Sequence, residues 1–391
     1  MTPRQRLLTL LRGETPDRVP VCPDISNMVP ARLTGKPFWD IYVYKDPPLW
    51  LAHVNALKCF NLDGGWEVYD WGDIFGLATE TWLPHIVHRY DDGRFVTQDR
   101  CEEDGRWRET IVVHTAGNPP ATHVLPTKIG LPPEPESWEP IRGAKPWPSG
   151  LDLWRLIRDE IGEQGVIGMP SGAVTCLLAN PEEIFAYHDD PKPFYVRRDQ
   201  ALERIERYMG IIAGLEIKPD FLFCGASGSL VFQSPAIFRD LALPLLKKAT
   251  AMAKDLGIPT HVHSCGPETE LVRIAAEETD LTIIDPLEVP PMGDCDLADL
   301  KRRYGNKIML KGNLHTTSTM LRGSVRDVRR ASLEAIRDGG VGGGFILSTG
   351  DQCGRDTPDE NIRAMVQAAE DLGHYPLDLA AIDAEIRALS D

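Results

Sequence analysis

Seven short apolar or β-branched runs, each ending in small, polar or liganding residues, constrain this chain most. They are "RVPVCPD" (18–24), "GVIGMPSG" (165–172), "DFLFCGASG" (220–228), "IPTHVHSCG" (258–266), "LTIIDPLE" (281–288), "KIMLKGN" (307–313) and "GGFILSTGD" (343–351). Between them lie helix-length amphipathic stretches such as "SPAIFRDLALPLLKKATAMAKDLG" and "ETELVRIAAEETD". The first opens with Ser234 as N-cap and Pro235 at the first helical position, and closes at Gly257. "TPDENIRAMVQAAEDLG" repeats the punctuation, with Thr357, Pro358 and Glu360 at its start and Gly373 at its end. Strands alternating with helices at this spacing predict parallel βαβ units, enough of them to close a barrel. A doubly wound open sheet fits the periodicity nearly as well, but no glycine-rich phosphate turn follows the first strand. "GVGGG" (340–344) precedes a strand, so it reads as a tight helix-to-strand turn. The expected fold is an α/β chain forming a (β/α)8 TIM barrel.

Residues 42–150 break the rhythm, being rich in Trp, Pro and charge. Within them, "RFVTQDRCEEDGRWRETIVVHTA" predicts a β-hairpin around its Asp-Gly pair, and "GLPPEPESWEPIRGAKPWPSG" an extended connection. Without a second βα series, 42–150 is expected to be an insertion packed on a single barrel of residues 1–391. Trp39, Trp50, Trp66, Trp71 and Trp82 would either cap the barrel mouth against a planar substrate or form the insertion's own core. The net charge of -16 argues against a general binder of nucleic acid or anionic membranes. No run approaches the roughly 20 apolar residues of a membrane span, and the amino terminus lacks a signal-peptide pattern. Eight scattered cysteines (22, 59, 101, 176, 224, 265, 295 and 353) suit a reduced, cytoplasmic protein.

The run 258–266 raises the chemical question. His261, His263 and Cys265 alternate, so their side chains leave one face of a strand. That is either half of a metal site or a packed core with polarizable side chains. In a parallel barrel, residues from distant strand ends converge at the carboxyl face. Cys353 lies just beyond the last strand, and His263, Cys265 and Cys353 would give three N/S ligands with an open position, the pattern of a catalytic zinc. Cys224 also lies at a strand end and competes as third ligand. Glu288 could reach the open position or orient a ligand, and His261 reads as a hydrogen-bonded neighbour.

At these residues the chain resembles the uroporphyrinogen decarboxylase superfamily, and within it the zinc- and corrinoid-dependent methyltransferases. "MTPRQRLLTLLRGETPDRVPV" is similar to that family's opening helix and first strand. "SPAIFRDLALPLLKKATAMAKDLGIPTHVHSCG" is similar to its central helix and His-x-Cys strand. "GNLHTTSTMLRGSVRDVRRASLEAI" and "GGFILSTGDQCGRDTPDENIRAMVQAA" are similar to its carboxyl-terminal third. The resemblance implies zinc held by His263, Cys265 and Cys353. It also implies methyl exchange between a small molecule (a methoxylated aromatic, methylamine, thiol or folate) and a corrinoid. This chain has no Asp-x-His-x-x-Gly corrinoid motif, so the cobalamin is expected on a separate corrinoid-binding protein. Asp24, Asn27, Ser227 and Asn313 are candidate substrate contacts, and a homodimer stays open.

Two departures matter. Where the porphyrinogen decarboxylases place carboxylate-clamping arginines, "VPVCPDISNMVPARLTG" has Asp24 and Asn27, so a polycarboxylate would meet negative charge. The family's third ligand follows the glycine directly, whereas "STGDQCG" delays Cys353 by two residues and leaves Asp351 as a neighbour or substitute ligand. The alternatives are a decarboxylase or lyase on the same barrel, or a barrel that only binds a ligand.

Overall fold

The computed structural model describes residues 1–66, 68, 72–178, 180–225, 228–231 and 233–390. Contacts divide the chain into two compact units: residues 25–59 with 69–160, and residues 1–24, 60–68 and 161–391.

The smaller unit holds an antiparallel sheet of β1 (Trp82–Arg89), β2 (Phe95–Cys101), β3 (Trp107–His114), β4 (Ala121–Val124) and β5 (Glu139–Pro140). Their order across the sheet is β4-β3-β2-β1-β5. The hairpin expected around the Asp-Gly pair joins β2 to β3, and Gly105 supplies the positive φ (+78°) its turn requires. Val43, Ile86 and Phe95 form one core cluster with Trp39, Tyr42 and Tyr44. Trp50 packs edge-on against Trp147. Trp39 and Trp50 therefore serve this unit's own core, and Trp71 lies outside the described residues.

The larger unit is built on a six-stranded parallel sheet. Its strands are β6 (Gly168–Pro170), β7 (Phe221–Gly225), β8 (Thr260–His263), β9 (Ile283–Asp285), β10 (Met309–Leu314) and β11 (Phe345–Thr349), in sequence order. Each falls on one of the apolar runs, β10 ending one residue past its run at Leu314. The remaining run, 18–24, meets β11 through a parallel bridge between Val21 and Leu347, with Cys22 N donating to Leu347 O at 2.9 Å. Asp63 N donates to Val21 O at 2.9 Å, and Gly64 bridges Gly165 in parallel just before β6. Hydrogen bonds thus continue beyond both edges of the sheet.

The helices follow the expected punctuation with instructive exceptions. Ser234 caps as expected, accepting from Ile237 N, but the following stretch forms two helices, Pro235–Leu241 and Leu243–Asp255. Pro244 lacks an N–H and its ring crowds the preceding turn, so one continuous helix is not available there. The late helix Asp359–Leu372 begins after Pro358, which makes no side-chain cap. "GVGGG" is the turn between the helix Val325–Gly339 and β11, with Gly342, Gly343 and Gly344 all at positive φ.

Trp66 is fully buried in this unit, stacked on Phe221 with ring centroids 4.2 Å apart and meeting the edge of His261 at 5.3 Å. Leu7, Leu10, Cys22, Val166, Ile283 and Ile346 share that core. The base of β8 is thereby clamped by aromatic packing, which fixes where its histidines point. Among the described residues no helix is long and apolar enough to cross a membrane.

Candidate metal centre

β8 delivers its histidines onto one carboxylate, as a period of two requires. His261 Nε2 lies 2.8 Å and His263 Nδ1 3.1 Å from the same Oδ1 of Asp285, at the end of β9. The other oxygen of Asp285 accepts from the Lys311 ammonium on β10. Asp285, Lys311 and His261 are all buried to within about one per cent of exposure. Burial alone would push the Asp285 carboxyl up, but Lys311, His261 and His263 outweigh it and hold it well below the usual carboxylate range. A carboxylate on Nδ1 leaves Nε2 of His263 as the outward nitrogen. That nitrogen stands 3.6 Å from Asp351 Oδ1.

Beyond the strand ends, the Cys265 thiol and the carboxylates of Glu288 and Asp351 converge, their ligand atoms all within 4.8 Å of one another. Each is held by its loop. Glu288 Oε2 accepts from Gly266 N at 2.6 Å, so the residue after Cys265 anchors the Glu288 side chain. Asp351 has φ +95°, a conformation non-glycine residues rarely adopt, on the turn after β11. Burial raises the Glu288 carboxyl, and the Asp351 charge adds to that rise against the Gly266 N–H. A group that resists carrying its own charge beside a second carboxylate and a thiol is suited to a cation.

Of the expected zinc ligands, the structure brings Cys265 to this cluster and His263 to its edge. Cys353 is not part of it. Its backbone N donates to Asp24 O at 2.8 Å, and burial, with the nearby Asp24 and Asp351 charges, pushes its thiol up to about 12, partly opposed by the Thr357 and Thr349 hydroxyls. Cys224 is likewise buried and pushed up to about 12. Asp24 is buried, its N donating to Thr349 Oγ1 at 3.0 Å. Asn313 is nearly buried near the end of β10. Asn27 belongs to the smaller unit, where its Oδ1 pairs with His53 Nε2 at 2.9 Å. Ser227 lies outside the described residues.

Sequence reasoning missed Asp285, Lys311 and Glu268. The signal was there for the first two: an ionisable residue inside or ending an apolar strand run needs a buried partner. Glu268 is fully buried; its Oε2 accepts from Leu287 N at 2.5 Å, while Oε1 has no hydrogen-bond partner among the described residues. Burial and the Asp285 charge raise it well above the ordinary range.

Residues 226–372 match the family model described as uroporphyrinogen decarboxylase (URO-D), which supports the resemblance read from the sequence over that stretch. The match spans β8 to β11 and every residue of the cluster. Among characterised proteins, the chain is 30% identical over 135 residues to "Methylcobamide:CoM methyltransferase MtbA" of Methanosarcina mazei. That stretch is 34% of this chain and 36% of the relative, so the match spans about a third of the relative's length. Among solved structures, a methyltransferase from Methanosarcina mazei superposes with a TM-score of 0.59 at 20% identity. It covers 95% of this chain and 99% of that one. That likeness establishes a shared α/β fold.

Proposed function

We propose that this protein is a zinc-dependent methyltransferase that exchanges a methyl group between a small molecule and a corrinoid carried by a separate protein. The supporting scaffold is a (β/α)8-type barrel, whose six-stranded parallel sheet is extended at its edges by single bridges from the 18–24 and 62–65 segments. The insertion expected over 42–150 is interrupted by residues 60–68, which belong to the barrel unit, so the inserted unit comprises residues 25–59 and 69–160, and the protein works in the cytoplasm. The observation that carries the reading is the convergence of the Cys265 thiol with Glu288 and Asp351, beside a carboxylate-oriented His263. Similarity over 135 residues to a methyltransferase named for methylcobamide supports reading that donor set as serving methyl transfer.

The donors fit zinc, which takes thiolate, imidazole and carboxylate ligands. Zinc bound there would supply Lewis acidity toward the heteroatom that carries the methyl group. The chain's own residues do the rest. Asp285, neutralised by Lys311, holds the His263 ring with Nε2 outward. Gly266 N–H fixes the Glu288 carboxylate, and the turn after β11 presents Asp351.

Metal content of purified variants tests the assignment. Cys265→Ser and Asp351→Asn should lose most of the zinc that wild-type protein retains after dialysis, because each removes one of few ligands. Cys353→Ser should retain it. Zinc lost from Cys353→Ser and kept by Asp351→Asn would return the third ligand to Cys353.

A further inference from the structure

His315 stands at the same strand-end face and has no part in the cluster. Leu314, the last residue of β10, pairs with Thr349 of β11, and Gly350 N donates to Leu314 O at 2.7 Å. His315 therefore leaves the sheet beside the turn that carries Asp351. Its ring lies within electrostatic range of the Glu288 carboxylate. The ring is fixed from behind: Nδ1 accepts from Thr317 N and Ser318 N, both at 3.1 Å, capping the short π-helical segment Thr316–Leu321. A ring nitrogen accepting two N–H groups carries no proton, so the neutral imidazole bears its hydrogen on Nε2. Among the described residues Nε2 has no hydrogen-bond partner, and the side chain is half-buried. The backbone thus presents a single oriented donor beside a candidate metal centre.

We infer that His315 is a substrate-contacting residue whose Nε2–H donates to the oxygen or sulfur bearing the transferred methyl group. This rests on the methyltransferase reading and narrows its substrate class to methyl ethers and thioethers. In the transfer the carbon–heteroatom bond breaks with its electron pair staying on the heteroatom. The new carbon–cobalt bond takes its pair from the reduced corrinoid, and the departing alkoxide, phenolate or thiolate is held by the Nε2–H bond. An oriented donor of this kind acts where charge develops, so it lowers the barrier more than it tightens binding. A quaternary ammonium offers no lone pair to the donor and leaves as a neutral amine, so it gains least.

The test follows reduced cobalamin under anaerobic conditions, with a methoxylated phenol, a methyl thioether and tetramethylammonium as probe donors. His315→Asn keeps a side-chain acceptor for the Thr317 and Ser318 N–H groups but not the Nε2 donor; His315→Ala removes both. Zinc content should stay at the wild-type level in each. With the methoxyl or thioether donor, kcat should fall by about 10²–10³-fold in both variants, with KM little changed. Wild-type kcat in the variants, loss of zinc, or an equal fall on tetramethylammonium would each overturn the assignment. A wild-type enzyme that methylates no cobalamin from any of these or other donors would sink the methyltransferase reading itself, and this inference with it.

Discussion

At the scale of single residues, the centre is organised by charges placed where solvent cannot reach them. Lys311 and Asp285 sit in strand positions otherwise filled by aliphatic side chains, and each is tolerable only because the other is there. Glu268 is the unusual member, a buried carboxyl raised well above its ordinary pKa by desolvation and by Asp285. A raised carboxyl pKa means that the native state keeps a proton the unfolded chain has lost. Stability from this group is therefore greatest below the unfolded value of about 4.3 and declines as pH rises toward the folded value. Glu268→Gln should mimic the protonated acid and be more stable than wild type in urea unfolding at about pH 8, with the advantage vanishing toward about pH 4. Parallel stability profiles for the two proteins across that range would show that Glu268 is ionised in the fold. The His-x-Cys pair was legible from sequence because strand alternation is a local rule. Glu288 and Asp351 were named from sequence as possible ligands, but their joint convergence on Cys265 depends on an unusual φ at Asp351 and a hydrogen bond from Gly266 N, which no local rule announces.

Among elements, the strand runs were readable because each parallel strand is buried on both faces and shows as an unbroken apolar stretch. The helix over 235–255 was read through its break, because cap and stop signals at Ser234 and Gly257 outweighed the internal Pro244. Strand-like segments 19–22 and 62–65 contribute only single bridges, too short for any periodicity to announce them. Their geometry hangs on close backbone approach. A Cβ at Gly165 would lie 1.9 Å from Gly64 O, although its φ of 176° is open to any residue. Gly165→Ala should therefore destabilise the fold through steric conflict alone, by about 1–3 kcal/mol or more. A lowered denaturant midpoint would report this. An unchanged midpoint would show that the Gly64–Gly165 bridge bears little on stability.

For the molecule as a whole, the parallel sheet places chemistry-bearing side chains from β8, β9, β10 and β11 at one set of strand ends. Distant parts of the chain thereby meet without any local sequence motif joining them. This explains why resemblance to a family with that fold was informative about the site's neighbourhood, while the donor set differs in its details. The thiol–carboxylate centre offers donors suited to a cation, and the proposal made above is that this cation serves methyl transfer to or from cobalt. Cobalt(I) absorbance, followed anaerobically as methyl donors are added to zinc-loaded, metal-stripped and Cys265→Ser protein, tests that claim most directly. Loss of cobalt(I) absorbance with growth of methyl-cobalt should occur with zinc-loaded wild type, cease on stripping, return with added zinc, and be absent in Cys265→Ser. An unchanged cobalt spectrum with zinc-loaded wild type across ethers, thioethers and amines, together with methylcobalamin that stays intact when thiols or folate are supplied, would contradict it.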